Sequence, residues 1–408
     1  MMRQSHRSSG GATWTLVAVA LACCGDVAAA QTRPTLLDRV RTEGVATVTT
    51  VRFDSGLVAD SLSIESLQQL SLPVTAQLAL HDRLTIDVAG AVLSGRVSVR
   101  DLAGGAQTLQ LAGLSDLRVR SVAQLIRDRL LMTTLVNVPT GPARLNAEQL
   151  AALSVIASPA LRPPVGVASL GLGLNAGLVW TTRVAPWNLA IGGSYEHRGG
   201  YTPVDAEVVG VPLRTTLRPG AAVRVSLGAD RLVGQGRLSL VAAGEFFGSD
   251  SLQFSGGAAT DTVLQRLRVR LGPQITLGGE WQPGTRWLVE PRLFAVTRVR
   301  LPFVNTQGER QAEATGVVID AGTEAAFGAR NGIGVIVRLA GRYDTGLGFD
   351  DGLLTAASSD LTGSLGVRWP IRGVVVSPEV AVRRGWIQLA EQRTGMRGLS
   401  ISVATQRR

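Results

Sequence analysis

Residues 332–344, GIGVIVRLAGRYD, alternate between apolar and polar side chains. The odd-numbered positions hold Ile, Val, Val, Leu, Gly and Tyr, whereas the even-numbered positions include Arg338, Arg342 and Asp344. Successive side chains of a β-strand point to opposite faces, so this period of two predicts a strand with one apolar and one charged face. The same alternation returns in residues 372–386 and along most of the chain.

The connections between the predicted strands alternate in length. Short connections lie at residues 81–83, 127–129, 184–186, 233–235, 281–284, 330–331 and 370–371, and long ones begin at residues 54, 100, 139, 199, 248, 302, 345 and 387. Outer-membrane barrels have short turns at one end and longer loops at the other. Counting both kinds of connection predicts about 16 strands, with 14 and 12 as the alternatives, and places both termini at the end of the short turns.

The charged faces decide between a soluble sheet and a membrane barrel. Charged side chains occur singly along the polar face of most predicted strands, and a dry protein core does not absorb so many charges. A water-filled lumen accommodates them while lipid covers the apolar face, and closure removes the strand edges that lipid does not tolerate. We therefore predict an all-β fold, a transmembrane antiparallel up-and-down β-barrel with one short helix in a long loop.

The N-terminal residues have the pattern of a secretion signal. Arg3 and Arg7 form a basic start, residues 14–22 form an apolar stretch, and the alanines at 28–30 form a small-residue cleavage site. The apolar stretch is too short for a membrane anchor, whereas lipid attachment at Cys23 is an open alternative. The predicted organisation is a signal peptide for Sec-type export at 1–30, a periplasmic lead-in at 31–44 and an outer-membrane barrel at 45–408.

Composition narrows the functional classes. The chain has 408 residues, a formal net charge of +10, 4% aromatic residues and no lysine. Its arginines are scattered singly and stacking partners are scarce, so nucleic acid is not a predicted partner. Both cysteines, Cys23 and Cys24, lie within the predicted signal, so the exported chain has no disulfide and no thiolate metal ligand.

Five tryptophans lie beside predicted short turns: Trp180, Trp187, Trp281, Trp287 and Trp369. Tryptophan is enriched where a membrane meets water. A soluble β-sandwich has no reason to place tryptophan at only one kind of turn. These residues therefore predict a membrane-interface belt at the turn end of the barrel, in contact with outer-membrane lipid.

Catalytic chemistry has few candidates in this sequence. His81 and His197 are the only histidines after residue 30, and His81 lies in a predicted tight turn. His197 and Ser194 are three residues apart on a predicted strand and face opposite sides, which argues against a membrane-embedded hydrolase. A lysine-requiring phosphate loop is absent, and no His or Cys cluster has metal-ligand spacing. We predict no catalytic, cofactor-binding or metal-binding residues, and no enzymatic activity.

A row of charged residues is the strongest candidate for a functional site. The predicted lumen face carries Arg266, Arg268, Arg270, Glu290, Arg292, Arg298, Asp320, Glu324, Arg338 and Arg342. One interpretation is a ladder of ion pairs that stabilises the barrel wall. The other is a selectivity wall that favours anionic solutes, because rings of charge set the preference of a pore.

The longest connection, residues 139–165, contains a predicted helix at 146–157 that begins with an asparagine suited to the N-cap. Two roles are open for this loop. It is either an external cap over the barrel rim or a constriction that folds into the mouth. In the second case Leu150, Leu153 and Val155 supply apolar contacts to the wall.

Several short motifs recur at the predicted turns and strand starts: LPV at 72–74, HDRL at 81–84, LSDL at 114–117, RDRL at 127–130, VPTG at 138–141 and the helix start at 145–150. In these motifs the chain resembles outer-membrane transporter-like barrels of the phenol-degradation-pathway and long-chain fatty-acid transporter type. The resemblance covers most of the predicted exported chain. It implies a barrel of about 14 strands and passive uptake of hydrophobic compounds.

These features predict an outer-membrane barrel that forms a passive pore or transporter for small solutes, with hydrophobic and anionic compounds as candidate classes. A structural or adhesive barrel with a closed lumen is the first alternative, and a membrane-embedded hydrolase is the second. The predicted partners are the outer-membrane lipid of a Gram-negative bacterium, its outer-membrane assembly machinery and an unidentified small solute. No cofactor is predicted.

Overall fold

The computed structural model describes most of the chain after residue 39. The described residues are 40–59, 62–101, 103–142, 144–161, 169, 171–208, 211–256, 263–283, 289–300, 304–305, 316–328, 333–346, 356–371, 373–389 and 391–407. The predicted signal peptide at 1–30, including Cys23, lies outside these residues, as does Trp287.

Strands dominate the described residues. They are β1 (Val40–Ala59), β2 (Leu62–His81), β3 (Leu84–Asp101), β4 (Ala106–Leu114), β5 (Leu117–Ile126), β6 (Leu130–Val138), β7 (Gly173–Val184), β8 (Trp187–Arg198), β9 (Tyr201–Val208), β10 (Val211–Arg218), β11 (Ala222–Val233), β12 (Gly236–Phe247), β13 (Ser249–Gly256), β14 (Val263–Arg270), β15 (Gln274–Gln282), β16 (Val289–Arg300), β17 (Val304–Asn305), β18 (Gly316–Gly328), β19 (Gly334–Asp344), β20 (Ala357–Ile371), β21 (Val374–Leu389) and β22 (Gln392–Arg407).

Seventeen of these strands close into one antiparallel barrel with 16 strand positions. β4 and β5 share one position, because β4 pairs with the second half of β3 and β5 pairs with the first half. β22 pairs with β1 from Glu43↔Gln406 to Phe53↔Met396, and this pairing closes the wall. The predicted all-β barrel and its count of 16 strands are confirmed, whereas the count of about 14 that the resemblance implied is not matched.

The alternation that predicted β19 sorts its side chains between the two faces of the wall. Val337 and Leu339 are 43% and 48% exposed on the outer surface, while Ile336 and Asp344 are buried and Arg338 points inward. The same sorting repeats around the barrel and leaves Leu, Ile and Val on its outside. An apolar outer band with a polar interior is the pattern of a transmembrane barrel.

Strand lengths differ from the prediction at the start of the barrel. Residues 54–69 were predicted to form a polar link, but β1 continues to Ala59 and β2 begins at Leu62. β1 also begins at Val40, within the predicted lead-in. Polar side chains do not end a strand whose backbone groups are paired, and β1 and β2 pair through most of these residues. The long hairpin extends the wall at the loop end, our name for the end opposite the short turns.

A second sheet is built from the long loops. β9, β10, β13, β14 and β17 form a five-stranded antiparallel sheet, separate from the barrel wall. Residues 263–280 alternate as one barrel strand would, and the prediction that Arg266, Arg268 and Arg270 lie on the lumen face assumed such a strand. That prediction is wrong, because β14 belongs to the second sheet and only β15 belongs to the barrel. Pro273 lies between them and has no N–H to donate to a ladder, so it interrupts the pairing.

The predicted helix is present as α1 (Ala147–Ile156), followed by a 3-10 turn at Pro159–Leu161. Asn146 is its N-cap, since its Oδ1 accepts from Gln149 N at 2.8 Å, and Gln149 Oε1 accepts from Asn146 N at 3.1 Å. This reciprocal pair is a capping box and fixes where the helix begins. Within the described residues, no helix has the length and apolar composition needed to cross a membrane.

Candidate functional site: the lumen and its mouth

The segment that carries α1 folds into the barrel at the loop end. We call its described residues, 144–161, the plug. Its buried apolar side chains are those of Leu145, Ala152, Val155, Ile156, Ala160 and Leu161. They form one apolar cluster with inward-facing wall residues, which include Val51, Phe53, Leu67, Leu93, Val97, Leu111, Ile387 and Met396. The plug therefore occupies the mouth from the inside.

The three residues predicted to contact the wall from this loop are placed differently. Val155 is buried in the apolar cluster and Leu153 is partly buried against it. Leu150 lies on the opposite side of α1 and is 36% exposed. The sequence did not single out Ile156, which is more deeply buried than any of the three. Ile156 lies on the same face of α1 as Ala152 and Val155. The spacing of three to four residues between these apolar positions was therefore the sequence signal for its burial.

Glycine makes room for the plug on the barrel wall. Gly95 lies directly beneath Ile156, and a Cβ at this position would collide with the Ile156 Cδ1 atom. Gly113 lies beneath Pro142, whose Cδ atom would be 3.1 Å from such a Cβ. Glycine in a strand often marks a close approach of another segment, which is its role at both positions.

A buried arginine ties the end of the plug to the wall. Arg383 Nη1 donates to the Leu161 carbonyl at 2.9 Å, and Nη2 donates to the Ala160 carbonyl. The same guanidinium pairs with Asp360 at 2.7 Å, and the Asp360 side chain is fully buried. Charge-assisted hydrogen bonds of this kind are stronger than neutral ones. We call this contact the latch.

A second polar contact holds the beginning of the loop at the rim. The buried Asp116 accepts from Asn137 Nδ2 at 2.7 Å and from Gly141 N at 3.2 Å. Asn137 Nδ2 also donates to the Gly171 carbonyl at 2.9 Å, where the loop returns to the barrel. Asp116 belongs to the LSDL motif, but the sequence alone did not reveal that it anchors this loop.

Four residues of the predicted charge row meet on neighbouring strands of the wall. Arg338 of β19 pairs with Glu324 of β18 at 2.7 Å, and Arg342 lies 4.0 Å from Asp320. Two carboxylates outside the predicted row complete the group, because Glu379 also pairs with Arg338 and Asp344 pairs with Arg342 at 3.0 Å. These contacts form a ladder of alternating charge on the lumen face.

The other members of the predicted row lie on the second sheet, or on β16 with side chains that the structure does not describe. Arg266, Arg268 and Arg270 were expected on the lumen wall, but β14 pairs with β13 and β17 of the second sheet, and all three are exposed there. Any strand with one solvent-exposed face shows the same period of two. The pattern therefore did not distinguish a strand of the second sheet from a strand of the barrel wall. The positions of Glu290, Arg292 and Arg298 are on the barrel strand β16.

Two neighbouring clefts lie along the lumen. One has a volume of about 460 Å³, and its charged lining residues are Arg41, Glu43, Asp87, Arg118 and Arg120. The other has a volume of about 330 Å³, and its charged lining residues are Arg120, Glu196, Arg224 and Glu245. Arg120 lines both clefts.

The charges of these clefts are only partly paired. Arg120 pairs with Asp87 at 3.2 Å. Among the described residues, Arg118 and Arg224 have no ion-pair partner within 4.0 Å and are exposed to the lumen. The larger cleft therefore holds three guanidinium groups against two carboxylates. Its wall is solvated, and its charged groups sum to a net charge of +1.

The four described tryptophans of the predicted belt lie on the outer surface near the short turns, and Trp287 is outside the described residues. Trp180, Trp281 and Trp369 are exposed there. Trp187 stacks with Arg231, whose guanidinium carbon lies 5.5 Å from the ring centroid. Arg231 also faces outward, because it pairs in register with Trp187. An aromatic ring with an adjacent cation suits the level of lipid headgroups.

Groups with catalytic or metal-binding potential are few in the part of the chain that the structure describes. There, no three His, Cys, Asp or Glu residues come together in a way that fits a metal ion. His81 Nδ1 accepts from Arg83 N at 3.3 Å within the first short turn. Near the plug, burial raises the pKa of the Tyr201 phenol, and the charge of Asp250 adds to the rise.

The chain was compared with protein families, curated proteins and solved structures. No family model and no curated protein matches it. Among solved structures it is similar to the outer membrane protein opdK from Pseudomonas aeruginosa, with 10% identity over 91% of this chain and 100% of that one, and a TM-score of 0.42.

Two further solved structures are similar to the chain. An outer membrane channel from Pseudomonas putida F1 has 11% identity over 93% of this chain and 100% of that one, with a TM-score of 0.33. The deltaS2 mutant of the monoaromatic hydrocarbon channel TodX has 10% identity over 90% of each chain, with a TM-score of 0.44. At these values the similarities decide neither the family nor the solute of this chain.

Proposed function

We propose that the protein is a passive outer-membrane channel for small polar or anionic solutes, gated at its mouth by the plug. The observation that carries this proposal is the pair of charged clefts inside a closed wall whose outside is apolar. Charged, solvated side chains line a water path at low energetic cost, and lipid covers the outer band. Uptake of hydrophobic compounds fits this lumen less well, because the walls of both clefts carry charges.

The proposal includes the route to the membrane. Residues 1–30 direct Sec-type export, and the assembly machinery of the outer membrane inserts the barrel. Outer-membrane lipid then surrounds the apolar band and the tryptophan belt. Heat-modifiable gel migration of protein from isolated outer membranes tests this placement, because a folded barrel runs faster before heating. A protein found only in the soluble periplasm contradicts it.

Conductance of the purified barrel in planar lipid bilayers tests the channel itself. We expect discrete steps of ion conductance from the folded protein and none from the heat-denatured protein. A folded barrel that stays silent supports the alternative of a structural barrel with a closed lumen. An esterase or lipase activity that His197→Ala abolishes supports the hydrolase instead.

Replacing Arg118 with glutamate should move the ion selectivity of the channel toward cations. The change converts the larger cleft from three positive and two negative groups to two positive and three negative groups. Because charge at a constriction sets ion preference, we expect a reversal potential shifted by several millivolts under a salt gradient. Arg127→Glu is the matched control, since Arg127 is exposed in a short turn. Equal shifts in both variants contradict a selective role for the cleft.

A further inference from the structure

Three arginines lie side by side on the outer surface of the barrel at the loop end. Arg52 of β1 pairs in register with Arg397 of β22, and Arg397 pairs in register with Arg384 of β21. All three face outward, because they share the phase of the exposed residues Val48, Val382 and Leu399 on their strands. We call them the arginine row.

The arginine row is short of counter-charge. Arg397 Nε lies 3.2 Å from Asp54 Oδ1, and both side chains are largely exposed. Among the described residues, Arg52 and Arg384 have no ion pair or hydrogen bond through their guanidinium groups. Like charges directly opposite on adjacent strands destabilise a sheet, so this arrangement opposes folding unless an anion from outside binds there.

The height of the arginine row on the barrel matches a headgroup layer. Two residues further toward the turn end, Val382 and Leu399 pair in register and are exposed on the apolar band. Two residues further toward the loop end, Trp386 stacks with Arg393 at 4.0 Å from the ring centroid. The row therefore lies where the apolar band ends and aromatic side chains begin, which is the level of lipid headgroups.

The described part of the opposite wall lacks this arrangement. At the loop end of the opposite wall, Tyr195, Val223 and Phe246 pair in register across β8, β11 and β12. All three are exposed on the outer surface and carry no charge. The outer surface at the loop end is therefore uncharged on this wall and positively charged on the side formed by β21, β22 and β1. Only the second side attracts anionic groups.

We propose that the arginine row binds the phosphate groups of phosphorylated glycolipid in the outer leaflet of the membrane. Neighbouring strands are about 4.8 Å apart, so three guanidinium groups span roughly 10 Å and reach more than one phosphate. Arginine presents a planar fork of N–H donors that suits phosphate oxygens. The binding also supplies the counter-charge that the row lacks within the protein. It requires a barrel in the membrane but not an open channel.

The test uses the full-length barrel folded in neutral detergent and native mass spectrometry of its lipid adducts. The probes are bis-phosphorylated lipid A, the same lipid without its phosphates, and phosphatidylglycerol. The variant is Arg52→Gln, Arg384→Gln and Arg397→Gln together. The control removes three other exposed charges, with Arg83→Gln, Arg100→Gln and Arg127→Gln. Heat-modifiable migration shows that each variant is folded.

We expect the wild type and the control to retain bis-phosphorylated lipid A. The arginine-row variant should bind it on the order of 100-fold more weakly, at about fivefold per arginine removed. Equal retention by the two triple variants overturns the proposal, as does equal binding of the lipid without phosphates. If the wild type retains phosphatidylglycerol more strongly than bis-phosphorylated lipid A, the ligand is a phospholipid and the proposal is overturned.

If the triple variant does not fold, Arg397→Gln alone is measured against Arg100→Gln with the same criteria. Conductance is recorded separately, so a silent channel leaves this result standing.

Discussion

Replacing Ile156 with aspartate should release the plug and raise the mean conductance of the channel severalfold. Ile156 is 1% exposed and sits over Gly95, inside the apolar cluster that joins the plug to the wall. Burying an isoleucine contributes about 1.5–3 kcal/mol, and an unpaired carboxylate at the same place costs several kcal/mol more. The variant therefore favours a plug that has left the wall and a mouth that is open.

The balance in the wild type makes this change large. Each ordered residue of the plug costs about 1–2 kcal/mol of backbone entropy, and the contacts of the apolar cluster and the latch are what offset this cost. A shift of about 4 kcal/mol changes the ratio of docked to released plug by roughly a thousandfold. The barrel wall should persist, because hydrogen bonds between neighbouring strands hold it together all the way round, including the pairing of β1 with β22 that closes it.

The control for this experiment lies on the same helix. Leu150→Asp places the same charge on the exposed side of α1, where water solvates it. We expect its single-channel conductance to equal that of the wild type, and limited proteolysis to cut the plug of Ile156→Asp faster than that of Leu150→Asp. Unchanged conductance in Ile156→Asp, in a barrel that still shows heat-modifiable migration, would rule out the plug as the gate.

The wall of the barrel was predictable because its physical cause is periodic. Every strand that separates lipid from a wet lumen must alternate, as β19 does from Val335 to Tyr343, and short turns must join neighbours at one end. The strand count followed from counting these connections. The helix α1 was predictable for a local reason, because Asn146 and Gln149 form a capping box within four residues of sequence.

The second sheet could not be predicted from the same pattern. β14 alternates as a barrel strand does, but its partners β13 and β17 come from other loops. A partner far away in sequence leaves no mark on the local period, so Arg266, Arg268 and Arg270 were assigned to the wrong wall. Pro273 was the available signal that the run is interrupted.

The candidate site was predicted only in part for a similar reason. Asp320, Glu324, Arg338 and Arg342 were found because adjacent strands bring their period-two positions together. The latch was missed, because Arg383 meets Ala160 and Leu161 across more than two hundred residues of sequence. The path of the loop determines which inward-facing arginine contacts the plug. The spacing of residues along the sequence does not reveal that path.

Replacing Arg383 with alanine should destabilise the barrel and loosen the end of the plug. The change removes the donors to the Ala160 and Leu161 carbonyls and leaves the buried Asp360 without this guanidinium. Removing one partner of a buried ion pair destabilises by about 3–5 kcal/mol. We expect the heat-modifiable band to be lost at a temperature several degrees lower, and the plug to be cut earlier by protease.

Two further variants separate the latch from a general loss of charge. Arg127→Ala removes an exposed arginine of a short turn, far from the plug, and should leave both measurements unchanged. Arg383→Met with Asp360→Leu replaces the pair by apolar side chains, which is often neutral for stability. We expect this double variant to regain the unfolding temperature while its plug stays sensitive to protease, because the two carbonyls still lack their donors. If Arg383→Ala and Arg127→Ala behave alike in both measurements, Arg383 does not act as a latch.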